Sequence, residues 1–425
     1  MAQPFPFHGY RYNPEKIEQL ADVLTQPYDQ ISAEMWRDYL RRHPYNIVRV
    51  IKNRNYEEAG QYLKQWIQTG VLKKDASTSF YPYEQTFEIE GQTLSRLGFI
   101  GLVSLEDAAS AVKGHEKILH EPLQDRLNLI RSTESSEGLV FMLYSDSSMQ
   151  VEQLLSEFKQ NQEPIIQVVD DYQVSHRLWQ LCERGHHEQI VEALKSTPLY
   201  IADGHHRFQT SLRYFQECTE KGWRTAAVES FDKRIIALFN MQSPGLKILA
   251  THRAIRNLTN FQLAEFLSRL EPYFEVESVV GPPELDLAMQ ESGVCIGLAA
   301  QDNHFYLLRL RERMGNDPSF MPQVSGPARQ VDVNVLHEGI LSPFLGIGAR
   351  ELASQEYVDY FRNRDEPIQH LRRGHYQLAF LLNPTTLEQV REISEAGEEM
   401  PQKSTDFYPK LLTGLVLMNM EIDKG

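Results

Sequence analysis

Five consecutive residues, Asp203-Gly204-His205-His206-Arg207, bring a carboxylate, a glycine, two imidazoles and a guanidinium into one short stretch. That set suits phosphate chemistry. Arg207 offers a planar, permanently charged fork matched to phosphate oxygens. Asp203 is a carboxylate of the kind that holds Mg²⁺, an ion that takes one or two carboxylates and fills its shell from phosphates. Gly204 supplies conformational freedom and lets a ligand approach the backbone. Either His205 or His206 can donate a hydrogen bond to a transferred group. An Asp-Gly pair alone is an ordinary helix cap. Two histidines and an arginine in the same turn favour a phosphate site over capping. Zinc is set aside, because neighbouring side chains at a helix start diverge and the metal needs further ligands.

The flanking residues must position this turn. Leu199–Ala202 is a short apolar run that predicts a buried strand, and Phe208, Leu212 and Phe215 recur at helical spacing. A strand-to-helix turn points backbone N–H groups outward at a helix start, where the macrodipole favours anions. Upstream, Leu123, Leu127 and Ile130 predict a helix after Pro122, with Arg126 beside its apolar stripe and Glu116 in the loop before it. His115 and His120 are five residues apart, not four, so the string is no HExxH zinc motif. A loop glutamate is ordinarily a solvated carboxylate. Near the end of the chain, Lys403, Ser404 and Thr405 resemble the tail of a Walker A loop, but only Gly397 is near. This loop is expected to complete a phosphate pocket rather than to build a P-loop, and Lys403 or Lys410 to close an acceptor cleft between the domains.

The whole chain narrows the function classes. Its 425 residues allow two or three domains, and 41% hydrophobic with 24% charged residues is the composition of a globular protein. A net charge of −15 argues against a broad grip on nucleic acid, so an anion site must be a local positive pocket on an acidic body. Cys182, Cys218 and Cys295 form no metal or redox pattern and predict buried thiols in a reducing compartment. The first residues lack an apolar signal core and no run approaches a membrane span, so a cytoplasmic protein is expected. The residue types leave the oligomeric state open.

Apolar periodicity gives the outline of the remaining chain. Ser32 caps a helix through Met35, Trp36 and Tyr39, Ile47–Ile51 predicts a strand, and Ala59, Leu63 and Trp66 mark a helix closed by Gly70. Phe80–Glu90 and Leu94–Leu105 form a hairpin about Gly91, and Arg234–Met241 is a further strand. Ser243-Pro244-Gly245 is the strongest break. Beyond it, Phe261–Phe274 predicts a helix, Val294–Ala300 with His304–Leu310 a hairpin, and Gly315–Pro327 a mobile loop.

Taken in order, the strings QPYDQIS, HEKI, DRL, ADGHHRF, PGLKILATHR, LHEGIL and MPQKSTDFYPKL resemble the family catalogued as domain of unknown function 1015, over nearly the full length. The central part resembles the ParB/sulfiredoxin fold, and within that group free serine kinases carry an Asp-Gly-His-His-Arg turn. The resemblance implies an α/β protein with three ranges. These are an N-terminal extension over 1–90, a ParB/sulfiredoxin-like core with a mixed sheet over 91–243, and a second α/β domain over 244–425. It implies a small-molecule kinase that uses ADP or ATP with Mg²⁺ to phosphorylate a free amino acid, L-serine first. Asp203 then takes the metal, Gly204, His205, Arg207, Arg126 and Lys403 the nucleotide phosphates, and Glu116, Asp203 and His206 the catalysis, with Glu116 as general base. A nucleotide hydrolase or switch, and a non-catalytic nucleotide sensor, use the same turn. A sulfiredoxin-like redox role fails because Cys218 sits roughly 16 Å along the helix from the turn.

Overall fold

The computed structural model describes residues 3–107, 111–118, 120–291 and 293–425. The chain forms two compact units. Met1–Gly114, Ile118–Lys247 and Pro409–Gly425 make the first, and His115–Lys117 with Ile248–Tyr408 make the second. This division is discontinuous, where the sequence reading drew three continuous ranges. The chain leaves the first unit after Lys247, just past the Ser243-Pro244-Gly245 break, and returns to it at Pro409.

The first unit is built on a nine-stranded mixed sheet. Its order runs Val112–Lys113, Leu199–Asp203, Val140–Tyr144, Lys233–Asn240, Gln92–Ser104, Tyr81–Ile89, Ser175–Leu178, Ile166–Val169, with Pro4–Phe5 alongside Gln92–Ser104. Leu199–Asp203 pairs parallel with Val112–Lys113 and antiparallel with Val140–Tyr144, which in turn pairs parallel with Lys233–Asn240. Leu199, Tyr200, Ile201 and Ala202 are all buried, as expected for a strand inside a sheet covered on both faces. The hairpin between Tyr81–Ile89 and Gln92–Ser104 turns on Glu90 (φ 50°) and Gly91 (φ 74°). Two successive left-handed residues match the right-handed twist of the flanking strands. The helix His205–Glu220 packs Phe208 and the flanks of Leu212 and Phe215 into the core made by Val140, Met142, Ile201, Ile236 and Leu238. Each such fully buried side chain contributes about 1.5–3 kcal/mol.

The second unit is centred on a six-stranded sheet of order Phe274–Val279, His304–Leu310, Cys295–Ala300, Leu378–Leu381, His252–Ile255, Val358–Phe361. Every pairing in it is antiparallel. The protein is therefore α/β with a large mixed sheet and a second sheet-based unit. Among the described residues no helix is long and apolar enough to cross a membrane.

Four sequence expectations are corrected. Ile47–Ile51 is not a strand, because Val48–Ile51 is a helical turn started by Asn46, whose side-chain oxygen accepts the Val48 N–H at 2.9 Å. Four apolar residues around Arg49 satisfy either period, and the Asn46 side chain bonded two residues on favours the turn. The helix expected over 261–274 covers only Leu263–Leu270, since the chain turns over at Leu270–Tyr273. The stretch 315–327, expected as a loose loop, is wrapped on the buried Arg329 guanidinium. That side chain donates to the carbonyls of Met314, Gly315, Asp317, Phe320, Met321 and Val324. Of the three free thiols, Cys218 and Cys295 are buried as expected but Cys182 is exposed.

Candidate functional site

Gly204 is the N-cap of the helix that follows Asp203, with φ 96° and ψ 28°. Only glycine takes that conformation without strain. A Cβ at this position would also lie 3.1 Å from Cζ, Nε and Nη2 of Arg207, so the turn folds directly against the guanidinium. On its other side Gly138 leaves similar room, with a Cβ there 3.5 Å from Arg207 Nη1. Arg207 Nη1 donates to the Leu139 carbonyl, and its Nη2 lies 3.7 Å from Asp203 Oδ1. The histidines of the turn differ in setting. His205 is buried, with Gly114 packed against its ring, and His206 is half-buried.

Arg207 lines a small cavity of about 40 Å³ that is partly open to solvent. Arg126, Arg207 and Arg234 line it together with Tyr28, Ser135, Glu137 and Thr210, and Ile51, Leu129 and Ile130 form an apolar side. Arg126 reaches the cavity from the helix His120–Thr133. Its Nη1 donates to the Ile51 carbonyl at 2.6 Å, at the end of the helical turn that replaced the expected strand. The same side chain pairs with Asp125 and lies 4.1 Å over the Tyr28 ring. Burial, with a smaller contribution from Asp29, pushes the Tyr28 hydroxyl up to about 12, while Arg126 and Arg207 pull the other way.

Arg234 is the distinctive member of the set. It is carried on the sheet strand Lys233–Asn240 and is 5% exposed. Its Nη1 donates to Ser136 Oγ at 2.8 Å and its Nη2 to the Gly138 carbonyl, while Nε has no acceptor among the described residues. Among the described residues no carboxylate lies within ion-pair distance of it. Burial and the neighbouring Arg207 charge pull its ionisation down to about 9, with Glu137 acting in the opposite direction. Glu137 itself is engaged by Ser135 Oγ at 2.6 Å. A buried guanidinium without an anion is costly unless something else supplies one. Three guanidiniums around one cavity are the donor set that recognises phosphate or carboxylate oxygens.

Arg126 and Arg207 were legible as candidates from the sequence, whereas Arg234, Ser135, Thr210 and Tyr28 were not. Arg234 lay inside an apolar run taken as core strand. Its signal is a charged residue between Lys233 and five apolar positions, at a depth where lone arginines are rare. Asp203 stands at the strand end, 3.7 Å from Arg207 and 3.4 Å from Lys410 Nζ. As a single carboxylate it fits Mg²⁺, which keeps waters and takes further oxygens from phosphates. Among the described residues no group of three or more His, Cys, Asp or Glu side chains is placed to hold a metal by itself.

Glu116 and Lys403 belong to the second unit. Glu116 forms a parallel bridge with Met400, fixed by the Met400 N–H to the His115 carbonyl at 2.7 Å and the Lys117 N–H to the Met400 carbonyl at 3.2 Å. His115 Nε2 meets Thr405 Oγ1 at 3.1 Å. Lys403 has φ 60° and an exposed side chain, and its carbonyl accepts from the buried Arg253 at 2.9 Å. The 400–406 loop therefore holds the segment that carries Glu116.

No curated protein matches the chain. Among solved structures it is similar to a conserved hypothetical protein from Pyrococcus furiosus, at 12% identity and a TM-score of 0.36 over 72% of this chain and 89% of that one. It is also similar to free serine kinase in complex with AMP, at 13% identity and a TM-score of 0.38 over 72% and 86% of the two chains. SbnI with a C-terminal truncation, from Staphylococcus aureus, gives 10% identity and a TM-score of 0.36 over 74% and 85%. A family model described as protein of unknown function, DUF1015, matches residues 5–334, and the chain belongs to that family.

Proposed function

We propose that the arginine cavity binds the phosphates of ADP or ATP and that the protein transfers a phosphoryl group to the hydroxyl of a free amino acid, L-serine first. One observation carries the nucleotide part: among the described residues the buried Arg234 finds no carboxylate partner and no acceptor for its Nε, and it lines the cavity with Arg207 and Arg126. The Asp-Gly-His-His-Arg turn, similar to that of free serine kinases, supports the choice of acceptor.

Phosphoryl transfer asks the protein mainly for positioning and for compensation of charge. Arg126, Arg207 and Arg234 hold the phosphate oxygens, with the backbone of Gly204 and His205 at the helix start. His206 donates to the transferred group, and Lys403 closes on the phosphates. Asp203 would hold Mg²⁺, which when bound neutralises phosphate charge. Glu116 accepts the proton of the attacking hydroxyl. The bond from phosphorus to the bridging oxygen breaks as the bond to the serine Oγ forms, so ADP leaves as AMP and serine becomes phosphoserine.

The test is ³¹P NMR of the full-length protein with Mg²⁺, ADP or ATP, and L-serine. A phosphomonoester signal that requires serine is expected, lost in Glu116→Gln with nucleotide binding retained. Inorganic phosphate released equally without serine would replace the kinase by a hydrolase. Binding with no turnover across an amino-acid panel would leave a sensor.

A further inference from the structure

The arginine cavity is small for a chain of phosphates. Its volume is about 40 Å³, and one water needs about 10–15 Å³. About three water-sized groups fill it, which is the bulk of one tetrahedral oxyanion and less than that of a diphosphate. Its donors come from three elements. Arg126 stands on the helix His120–Thr133, Arg207 in the first turn of His205–Glu220 and Arg234 on the strand Lys233–Asn240. Arg207 and Arg234 donate to the neighbouring carbonyls of Leu139 and Gly138, so one stretch of backbone fixes both forks. A tetrahedral ion presents oxygens in four directions and suits donors that arrive from several sides, whereas a carboxylate presents two in one plane.

The charges on the wall are unevenly matched. Arg126 is paired with Asp125 at 2.5 Å and Arg207 has Asp203 Oδ1 at 3.7 Å, while Arg234 has no carboxylate within ion-pair distance among the described residues. Glu137 is the acid of the lining. Its Oε1 accepts from Ser135 Oγ at 2.6 Å, and its Oε2 has no donor among the described residues. A buried carboxylate oxygen beside an anion is repulsive unless the anion brings a proton to share. Free phosphate keeps at least one proton at neutral pH. Sulfate has none, and a phosphate ester has largely lost its own. We propose that the cavity is a site for a single hydrogen phosphate ion, with the guanidiniums on its ionised oxygens and Glu137 accepting its P–OH, and that free phosphate competes there with the terminal phosphoryl group of a nucleotide. The competition rests on the nucleotide reading of the cavity; the binding of phosphate does not.

The experiment is calorimetric titration of inorganic phosphate, and separately of sulfate, into the full-length protein at neutral pH and fixed ionic strength, without nucleotide. One phosphate per chain is expected, bound roughly tenfold or more tighter than sulfate. Arg234→Met is expected to weaken phosphate binding roughly tenfold or more, and Arg126→Met serves the same purpose should the first variant not fold. Glu137→Gln should erase the preference for phosphate over sulfate, because its amide can donate to either ion. No phosphate binding by the folded parent, equal affinity for the two ions, or phosphate binding unaltered in the arginine variants would each overturn the proposal. ADP titrated with and without saturating phosphate separates the two ideas. An apparent ADP affinity that falls in phosphate supports the competition, and ADP binding indifferent to phosphate overturns it. If phosphate binds through Arg234 while ADP does not bind at all, the phosphate site stands and the nucleotide reading falls.

Discussion

Arg234 in the first unit and Arg329 in the second are buried to a similar depth, at 5% and 9% exposure, and among the described residues neither has a carboxylate partner. Their hydrogen bonding separates them. Arg329 spends all its nitrogens on six backbone carbonyls of the 314–324 segment. Arg234 has one hydroxyl and one carbonyl, its buried Nε is without an acceptor among the described residues, and its side chain lines a cavity with two more arginines. Burial of a cation therefore does not mark a site. What marks it is donor capacity left unspent beside open space, since a saturated guanidinium is already part of the fold.

Removing the saturated arginine gives the largest effect. Arg329→Met strands six carbonyls and is expected to destabilise the second unit by roughly 3–5 kcal/mol, with ADP affinity unchanged, read by urea unfolding and calorimetry. An equal loss of ADP affinity would erase the contrast between the two arginines.

A buried base in the second unit sharpens the same point through pH. His252 accepts the Leu382 N–H on Nδ1 at 3.2 Å, and burial, then the Arg253 and Arg364 charges, pull its ionisation down to about 4. The unfolded chain binds that proton at about 6.5, so it takes up more protons than the folded protein between those values and stability falls as pH drops through the window. The His252 share of that loss is at most about 3 kcal/mol. His252→Asn should flatten the dependence of the unfolding midpoint between pH 6.5 and 4, and an unaltered slope would remove His252 as its source.

The smallest effect tests how the first unit shapes its unspent donors. Gly204→Ala forces a side chain into φ 96° and against the Arg207 guanidinium. It should cost about 1 kcal/mol of stability and weaken ADP binding severalfold as Arg207 is displaced. Full stability with full affinity would mean that the turn does not position Arg207.

The turn was readable because it is local. An apolar run, a glycine and a helical stripe over Leu199–Phe215 specify strand, turn and helix without help from the rest of the chain. Arg126 and Arg207 followed from that neighbourhood. Arg234 did not, because its five apolar successors signal core and nothing in the string says that one of its nitrogens lacks an acceptor among the described residues. The helical turn Val48–Ile51 was misread for a related reason, since the deciding bond comes from the Asn46 side chain. The return of Pro409–Gly425 to the first unit depends on Arg96 and Gln85, more than 300 positions earlier, and no local pattern encodes such a pairing.

The central claim is that Arg234 is held unsatisfied for an anion. It is tested most directly by calorimetric titration of ADP into the parent protein and Arg234→Met, with urea unfolding of both. The account predicts ADP binding weakened by about 1.5–3 kcal/mol, roughly tenfold to a hundredfold, with folding stability unchanged or raised because an unpaired buried charge has gone. Unchanged ADP affinity together with a large loss of stability would make Arg234 a structural residue like Arg329 and contradict it.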